Sequence, residues 1–151
     1  MSVVITDVQP ADAAAIKAFM GRVIADGVTQ DEELLADLRA NVEGNVDSWL
    51  AQPDDAVHLQ AVEDGRLAGV VLVKQFWNLC SLFVDPRLQG RGVGRALVES
   101  AMERCAGRSP KQGLWLNAAP RAIGFYRSLG FTERTPTRAL PPGFVAMQRP
   151  L

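Results

Sequence analysis

The stretch VDPRLQGRGVGRALV, Val84 to Val98, sets glycines at positions 90, 92 and 94, interleaves them with Arg91 and Arg95, and runs straight into a helical pattern. A helix start is normally capped by Ser, Thr, Asp or Asn. Residues without Cβ atoms instead let the chain turn tightly and offer successive N–H groups to something lying against the backbone. The first amides of a helix lack intrahelical partners, and the helix dipole favours negative charge there. The chemistry this arrangement suits is the holding of a phosphate or pyrophosphate. Arg87, Arg91 and Arg95 add local positive charge to a chain whose formal net charge is only -1. The alternative is a flexible loop with no ligand.

Two better-known phosphate loops do not match. A P-loop needs Gly-Lys followed by Ser or Thr, and here Gly94 precedes Arg95-Ala96. A dinucleotide fingerprint begun at Gly90 needs glycine at position 95, and one begun at Gly92 needs glycine at position 97; these are Arg95 and Leu97. The strand before the loop also follows a hairpin, where a dinucleotide fold starts with a βαβ unit.

Other reactive side chains are few. Tyr126 is the sole tyrosine. Its phenol has a reference pKa near 10, so it is protonated at neutral pH and can donate to a departing anion. His58 is the sole histidine, which excludes a His-rich metal site. Cys80 and Cys105 read as free thiols, with Cys105 packed on a helix face. The near-neutral charge argues against gripping nucleic acid by its phosphates. No signal peptide or membrane span is visible, so a cytoplasmic protein is expected.

The elements that must position these groups follow from periodicity. A chain of 151 residues, 48% apolar and 22% charged, fits one globular domain over residues 1–151. Val3 to Val8 reads as a strand. Pro10-Ala11-Asp12 opens a helix that carries Ile16, Phe19, Met20 and Val23 at helical spacing. Thr29 with Glu32 fits a capping box for a second helix through Leu34, Leu35 and Leu38, with Trp49 and Leu50 ending a looser stretch. Strands are expected at Val57 to Val62 and Leu67 to Gln75, joined by a turn containing Asp64-Gly65, and a third at Asn78 to Val84. Val93, Leu97, Ala101 and Cys105 recur every four residues and give the helix after the glycines. Leu114 to Leu116 is a strand, Ala122 to Leu129 a helix stopped by Gly130 with Phe131 packing back, and Phe144 to Met147 a last strand. Thr135 to Pro142 is a loop. Trp49, Trp77 and Trp115 read as core or rim residues.

With these pieces in order, the sequence resembles the GCN5-related N-acetyltransferase superfamily. The resemblance rests on Gln89-Gly90-Arg91-Gly92-Val93-Gly94, on the strand Leu82-Phe83-Val84-Asp85-Pro86 before it, and on Phe125-Tyr126-Arg127-Ser128-Leu129-Gly130-Phe131 after it. It implies an α+β, three-layer fold, with a mixed and mostly antiparallel sheet of six to seven strands and about four helices. It implies acetyl-CoA as co-substrate and no metal. The amides from Gly90 through Arg95, with Gln89, Arg91 and Val93 in the same segment, would hold the pyrophosphate. Leu82, Phe83 and Val84 would line the pantetheine arm, Leu82 and Val84 through their backbone groups, and Asn117 would add a polar contact. Many members place that Asn seven residues before the Tyr, where this chain has Ala119. Tyr126 would be the catalytic acid for the leaving thiolate.

Acetyl transfer from a thioester to a primary amine by direct attack in a ternary complex is the implied reaction. The alternative is a non-catalytic acyl-CoA-binding module of the same fold. No general base stands out. Asn78 occupies about the place where relatives carry Glu, and water or one of Asp31, Glu32, Glu33 and Asp85 would take the proton. The acceptor, a small molecule or a peptide amine, is not legible. Neither nucleic acid nor membrane is expected as a partner, and a homodimer is a form common in such families.

Overall fold

The computed structural model describes residues 3–27 and 31–151. Its seven strands are β1 (Val4–Asp7), β2 (Ala56–Glu63), β3 (Arg66–Lys74), β4 (Asn78–Val84), β5 (Gly113–Ala118), β6 (Thr132–Glu133) and β7 (Val145–Pro150). Its four α-helices are α1 (Ala13–Gly27), α2 (Glu32–Ala51), α3 (Val93–Cys105) and α4 (Ile123–Ser128). The strands form one sheet in the order β1-β2-β3-β4-β5-β7-β6. Every neighbouring pair is antiparallel except β4 and β5.

The alternation of strand residues feeds two cores. Leu59, Val71, Val73, Leu114, Leu116 and Met147 face α3 and α4, where they meet Val93, Leu97, Val98, Ala101 and Tyr126. Val70 and Leu72 face the other way, against Ile16, Phe19, Met20 and Ile24 of α1 and Val42, Val46 and Trp49 of α2. The four-residue repeat read for α3 is its buried stripe: Val93, Leu97, Ala101 and Cys105 are all within 3% of complete burial. Burial of one such leucine contributes about 1.5–3 kcal/mol. Close approach of α3 to the sheet needs Gly69, where an added Cβ would stand 2.8 Å from Leu97 Cδ1 and 3.0 Å from the Phe83 carbonyl oxygen.

Two expectations are corrected. The second helix is capped by Asp31, whose carboxylate accepts from the Leu34 N–H at 2.9 Å. Glu32 is therefore its first residue, and Thr29 lies outside the described residues. The stretch before Trp49 is not looser. It is one helix from Glu32 to Ala51, because Val42, Val46 and Trp49 carry the apolar stripe on past Gly44. The turn at Asp64-Gly65 has both residues at positive φ, the type I′ geometry that suits a two-residue hairpin. β6 is a two-residue strand just before the Thr135 to Pro142 loop, paired with β7 across it.

Candidate active site

β4 is where the sheet stops being regular. Its register on β3 shifts between Leu72↔Ser81 and Val73↔Leu79, so Cys80 is the extra residue of a bulge. Leu79, Leu82 and Val84 pack towards α3 and α4, while Cys80 and Phe83 pack towards α1 and α2. The step of three between Leu79 and Leu82, breaking a period of two, was the sequence signal for that bulge.

β4 and β5 meet at one point, Asn78 opposite Trp115, with the Trp115 N–H donating to the Trp77 carbonyl at 2.8 Å. No further ladder pair joins the two strands beyond it, which leaves a gap in the pairing towards their C-terminal ends. Asp85 N–H donates to Ala68 O at 2.9 Å, extending the β3–β4 register in which Phe83 faces Val70. Antiparallel ladders alternate, so Phe83 and Asp85 bond towards β3 and the backbone groups of Leu82 and Val84 turn towards the gap. A gap edged by unpaired strand groups can accept an extended, amide-containing chain as an added strand.

The glycine segment follows the C-terminal end of β4, where this gap in the pairing lies. Asp85 caps the short 3-10 turn Pro86–Leu88 by accepting from the Arg87 N–H, and forms an ion pair with the Arg87 guanidinium at 2.9 Å. The hydrogen bond from Arg87 holds the Asp85 carboxyl below the usual carboxylate range. Gly90 and Gly92 follow at φ +81° and +86°. Gly92 is the N-cap of α3 and has no side chain to cap with. An added Cβ at either glycine would meet nothing within 4 Å. Glycine is therefore required there by the left-handed backbone and not by protein packing, and the turn stays open to a ligand approaching the amides. Gly94 differs: its Cβ would stand 3.3 Å from Phe125 Cζ and 3.5 Å from Val84 Cγ2, so it seats α4 against the start of α3. Arg95 ties the same two helices by donating to Ser128 Oγ at 3.2 Å. Gln89 and Arg91 are exposed on the turn, and Val93 is buried beneath it. The residues present thus fit a diphosphate: a run of backbone N–H groups at the start of a 13-residue helix, with no Cβ over them.

Tyr126 is positioned by the end of α4. The Gly130 N–H donates to Arg127 O at 3.0 Å and the Phe131 N–H to Tyr126 O at 3.1 Å, with Gly130 at φ +90°. This is the Schellman pattern, and it folds Phe131 back onto the Tyr126 ring, centroids 5.4 Å apart. Phe125 packs on the other side at 5.1 Å. Tyr126 is 7% exposed and shares the apolar cluster that Leu82 and Val84 join. Burial pushes its phenol above the ordinary tyrosine range.

Asn117 is not brought into this cluster. Leu114, Leu116 and Ala118 face α3 and α4, so Asn117 stands exposed on the opposite face of β5. Of the candidate bases, Asp31 caps α2 and Asp85 is bonded to Arg87. His58 is buried on edge against Trp49, and burial lowers its pKa to about 4. Burial pushes the Cys80 thiol up as well. A cleft of about 1310 Å³ lies elsewhere, between α1, the β2–β3 turn and the segment from Asp85 to Leu88.

A family model described as an acetyltransferase (GNAT) domain matches residues 40–140, two thirds of the chain. The chain belongs to the GNAT acetyltransferase family. The [ribosomal protein bS18]-alanine N-acetyltransferase of Escherichia coli K12 is 34% identical over 99 residues, 60% of this chain and 65% of that protein. An uncharacterised N-acetyltransferase of Methanocaldococcus jannaschii is 31% identical over 98 residues, 57% of this chain and 43% of that protein. The chain thus matches these curated relatives over about half to two thirds of their own length. Among solved structures, a GCN5-related N-acetyltransferase from Rhodopseudomonas palustris superposes with a TM-score of 0.79 at 20% identity, covering 100% of this chain and 97% of that one. The PaiA N-acetyltransferase of Thermoplasma acidophilum, in complex with coenzyme A, gives 0.77 at 16% identity with both chains covered in full. These likenesses show the GNAT fold, with its seven-stranded, mostly antiparallel sheet and four helices.

Proposed function

We propose that this GNAT protein is an acetyl-CoA-dependent N-acetyltransferase that moves an acetyl group to a primary amine by direct attack in a ternary complex. One observation carries the reading. The backbone groups of Leu82 and Val84 turn into the gap between β4 and β5, and that gap leads to the open glycine turn at the start of α3. The amides from Gly90 to Arg95 hold the pyrophosphate, and Leu82 and Val84 bond the pantetheine arm as a neighbouring strand would. The coenzyme A complex of the Thermoplasma acidophilum neighbour supports the choice of cofactor.

Acetyl-CoA supplies an activated thioester. The protein's part is to orient it and to meet the charges that develop. A backbone N–H at Leu82 or Val84 donates to the carbonyl oxygen as it gains charge. Tyr126 donates its phenolic proton to the departing sulfur, a role suited to a group that burial keeps protonated. Asn117 stands exposed on the face of the sheet opposite Tyr126, the face from which the acceptor amine approaches. The proton released by the attacking amine leaves through water, because the sole imidazole is buried and too weak a base at neutral pH. The acceptor is a small amine or a protein amine, as in the relatives whose names give bS18 alanine and peptidyl lysine.

A panel of primary amines and peptides incubated with acetyl-CoA, with free thiol release as readout, tests this. Amine-dependent release is the expected result. Tight coenzyme A binding with no release for any amine would leave a binding module in place of an enzyme.

A further inference from the structure

The acceptor face of the sheet, opposite α3 and α4, carries a cluster that no step above uses. Trp115 projects there, since Leu114 and Leu116 on either side face the other core. It stands opposite Asn78, where β4 and β5 meet. The Arg134 guanidinium lies 4.3 Å and the Lys111 ammonium 4.5 Å from its ring centroid, so the two charges lie within about 9 Å of each other. Lys111 is also 4.9 Å from the Trp77 ring, which meets Trp115 edge-on at 5.6 Å.

The route of Arg134 is built. Its N–H donates to Ala146 O at 2.9 Å, and Ala146 pairs with Asn117. The arginine therefore crosses β7 at an alanine, 2% exposed, to reach the indole on β5. Neither cation has a carboxylate: the four ion pairs among the described residues are Lys17–Asp47, Arg87–Asp85, Arg104–Asp7 and Arg127–Glu133. Arg134 Nη1 donates to Thr135 O, while its Nε is buried with no partner among the described residues. Two cations held against one indole repel each other until an anion joins them. A guanidinium fork fits the two oxygens of a carboxylate.

We propose that Lys111 and Arg134 on Trp115 form a subsite for a carboxylate of the acceptor, so that the preferred substrate is a peptide amine followed closely by Asp or Glu. This rests on the acetyltransferase reading above. The spacing selects a peptide over a free amino acid. Leu82 lies three ladder steps along β4 from Asn78, Cys80 being bulged out, and at about 3.3 Å per step the amine and the carboxylate stand on the order of 10 Å apart. That span matches an N-terminus with its acidic side chain at the second or third residue. The net effect is discrimination by charge, which rejects polyamines as well as attracting anions.

The test compares peptides that differ only by Glu or Gln at position two or three, with a free amino acid and a polyamine as further arms. The expected result is a kcat/KM at least tenfold higher for the Glu peptide, lost in Arg134→Gln and reduced in Lys111→Gln, with the Gln peptide and coenzyme A affinity unaffected. A second readout needs no turnover: titration of the N-acetylated Glu peptide should shift the Trp115 indole resonance in the parent and not in Arg134→Gln. Equal use of the matched peptides, preference for the polyamine or the amino acid, or an unmoved Trp115 resonance would each overturn the subsite. Absence of turnover with every acceptor, beside a normal Trp115 shift, would sink the acetyltransferase reading and leave the carboxylate site standing.

Discussion

His58 offers a prediction whose size follows from burial alone. The imidazole is 4% exposed, stacks edge-on with Trp49 at 4.5 Å, and has an Nδ1 without a partner among the described residues. Desolvation lowers its pKa from 6.5 to about 4. A base whose folded pKa is depressed stabilises the fold fully above the unfolded value and loses that stability as pH falls, because the unfolded chain takes up the proton first. The window is therefore pH 6.5 down to about 4. At 1.36 kcal/mol per unit, the loss from this group is about 2 kcal/mol on going from pH 7.5 to 5 and reaches about 3 kcal/mol below pH 4. For a chain of this size, 2 kcal/mol corresponds to a fall in Tm of about 4–8 °C. The assay is urea and thermal unfolding at pH 7.5 and 5 for the parent and for His58→Phe, which keeps a ring against Trp49. The parent should lose about 2 kcal/mol more than the variant over that interval. Parallel losses, or an imidazole that titrates near 6.5 in the folded protein by NMR, would refute the reasoning. The same argument predicts that kcat has no inflection between pH 6 and 7 from this residue.

Three further outcomes are expected. Tyr126→Phe should leave coenzyme A affinity and stability close to the parent's and lower kcat by about 10²–10⁴-fold, as measured by thiol release; unchanged kcat would remove the phenol from the mechanism. Gly69→Ala should cost about 1–3 kcal/mol in urea unfolding, because the added carbon presses on Leu97 and on the Phe83 carbonyl. Gly92→Val should weaken coenzyme A in calorimetric titration by at least tenfold. The stability cost of forcing a branched residue to φ +86° is about 1–3 kcal/mol, so the folded fraction is checked alongside.

Much of this architecture was legible because its signals are local. The four-residue repeat of α3, the Asp64-Gly65 turn and the Gly130-Phe131 cap each depend on neighbours within a few residues, and each has its counterpart in the structure. The glycine turn was legible for the same reason, although Gly94 belongs to helix packing against Phe125 and not to the open turn. The limits of α2 were misread because Gly44 and Asn45 weaken propensity while Val42, Val46 and Trp49 hold the helix through tertiary burial. The placement of Asn117 and the meeting of Trp115, Lys111 and Arg134 depend on which strands become neighbours. β5 pairs with β7 across 26 intervening residues or more, and no short stretch of sequence carries that information.

The central claim is that coenzyme A lies along the gap between β4 and β5 with its pyrophosphate on the turn before α3. A crystal structure of the protein with coenzyme A tests it most directly. The account predicts pyrophosphate oxygens within hydrogen-bond distance of amides between Gly90 and Arg95, and the pantetheine arm bonded to the backbone of Leu82 and Val84. A nucleotide seated instead in the cleft lined by Phe19 and Leu88, with the glycine turn facing solvent, would contradict it.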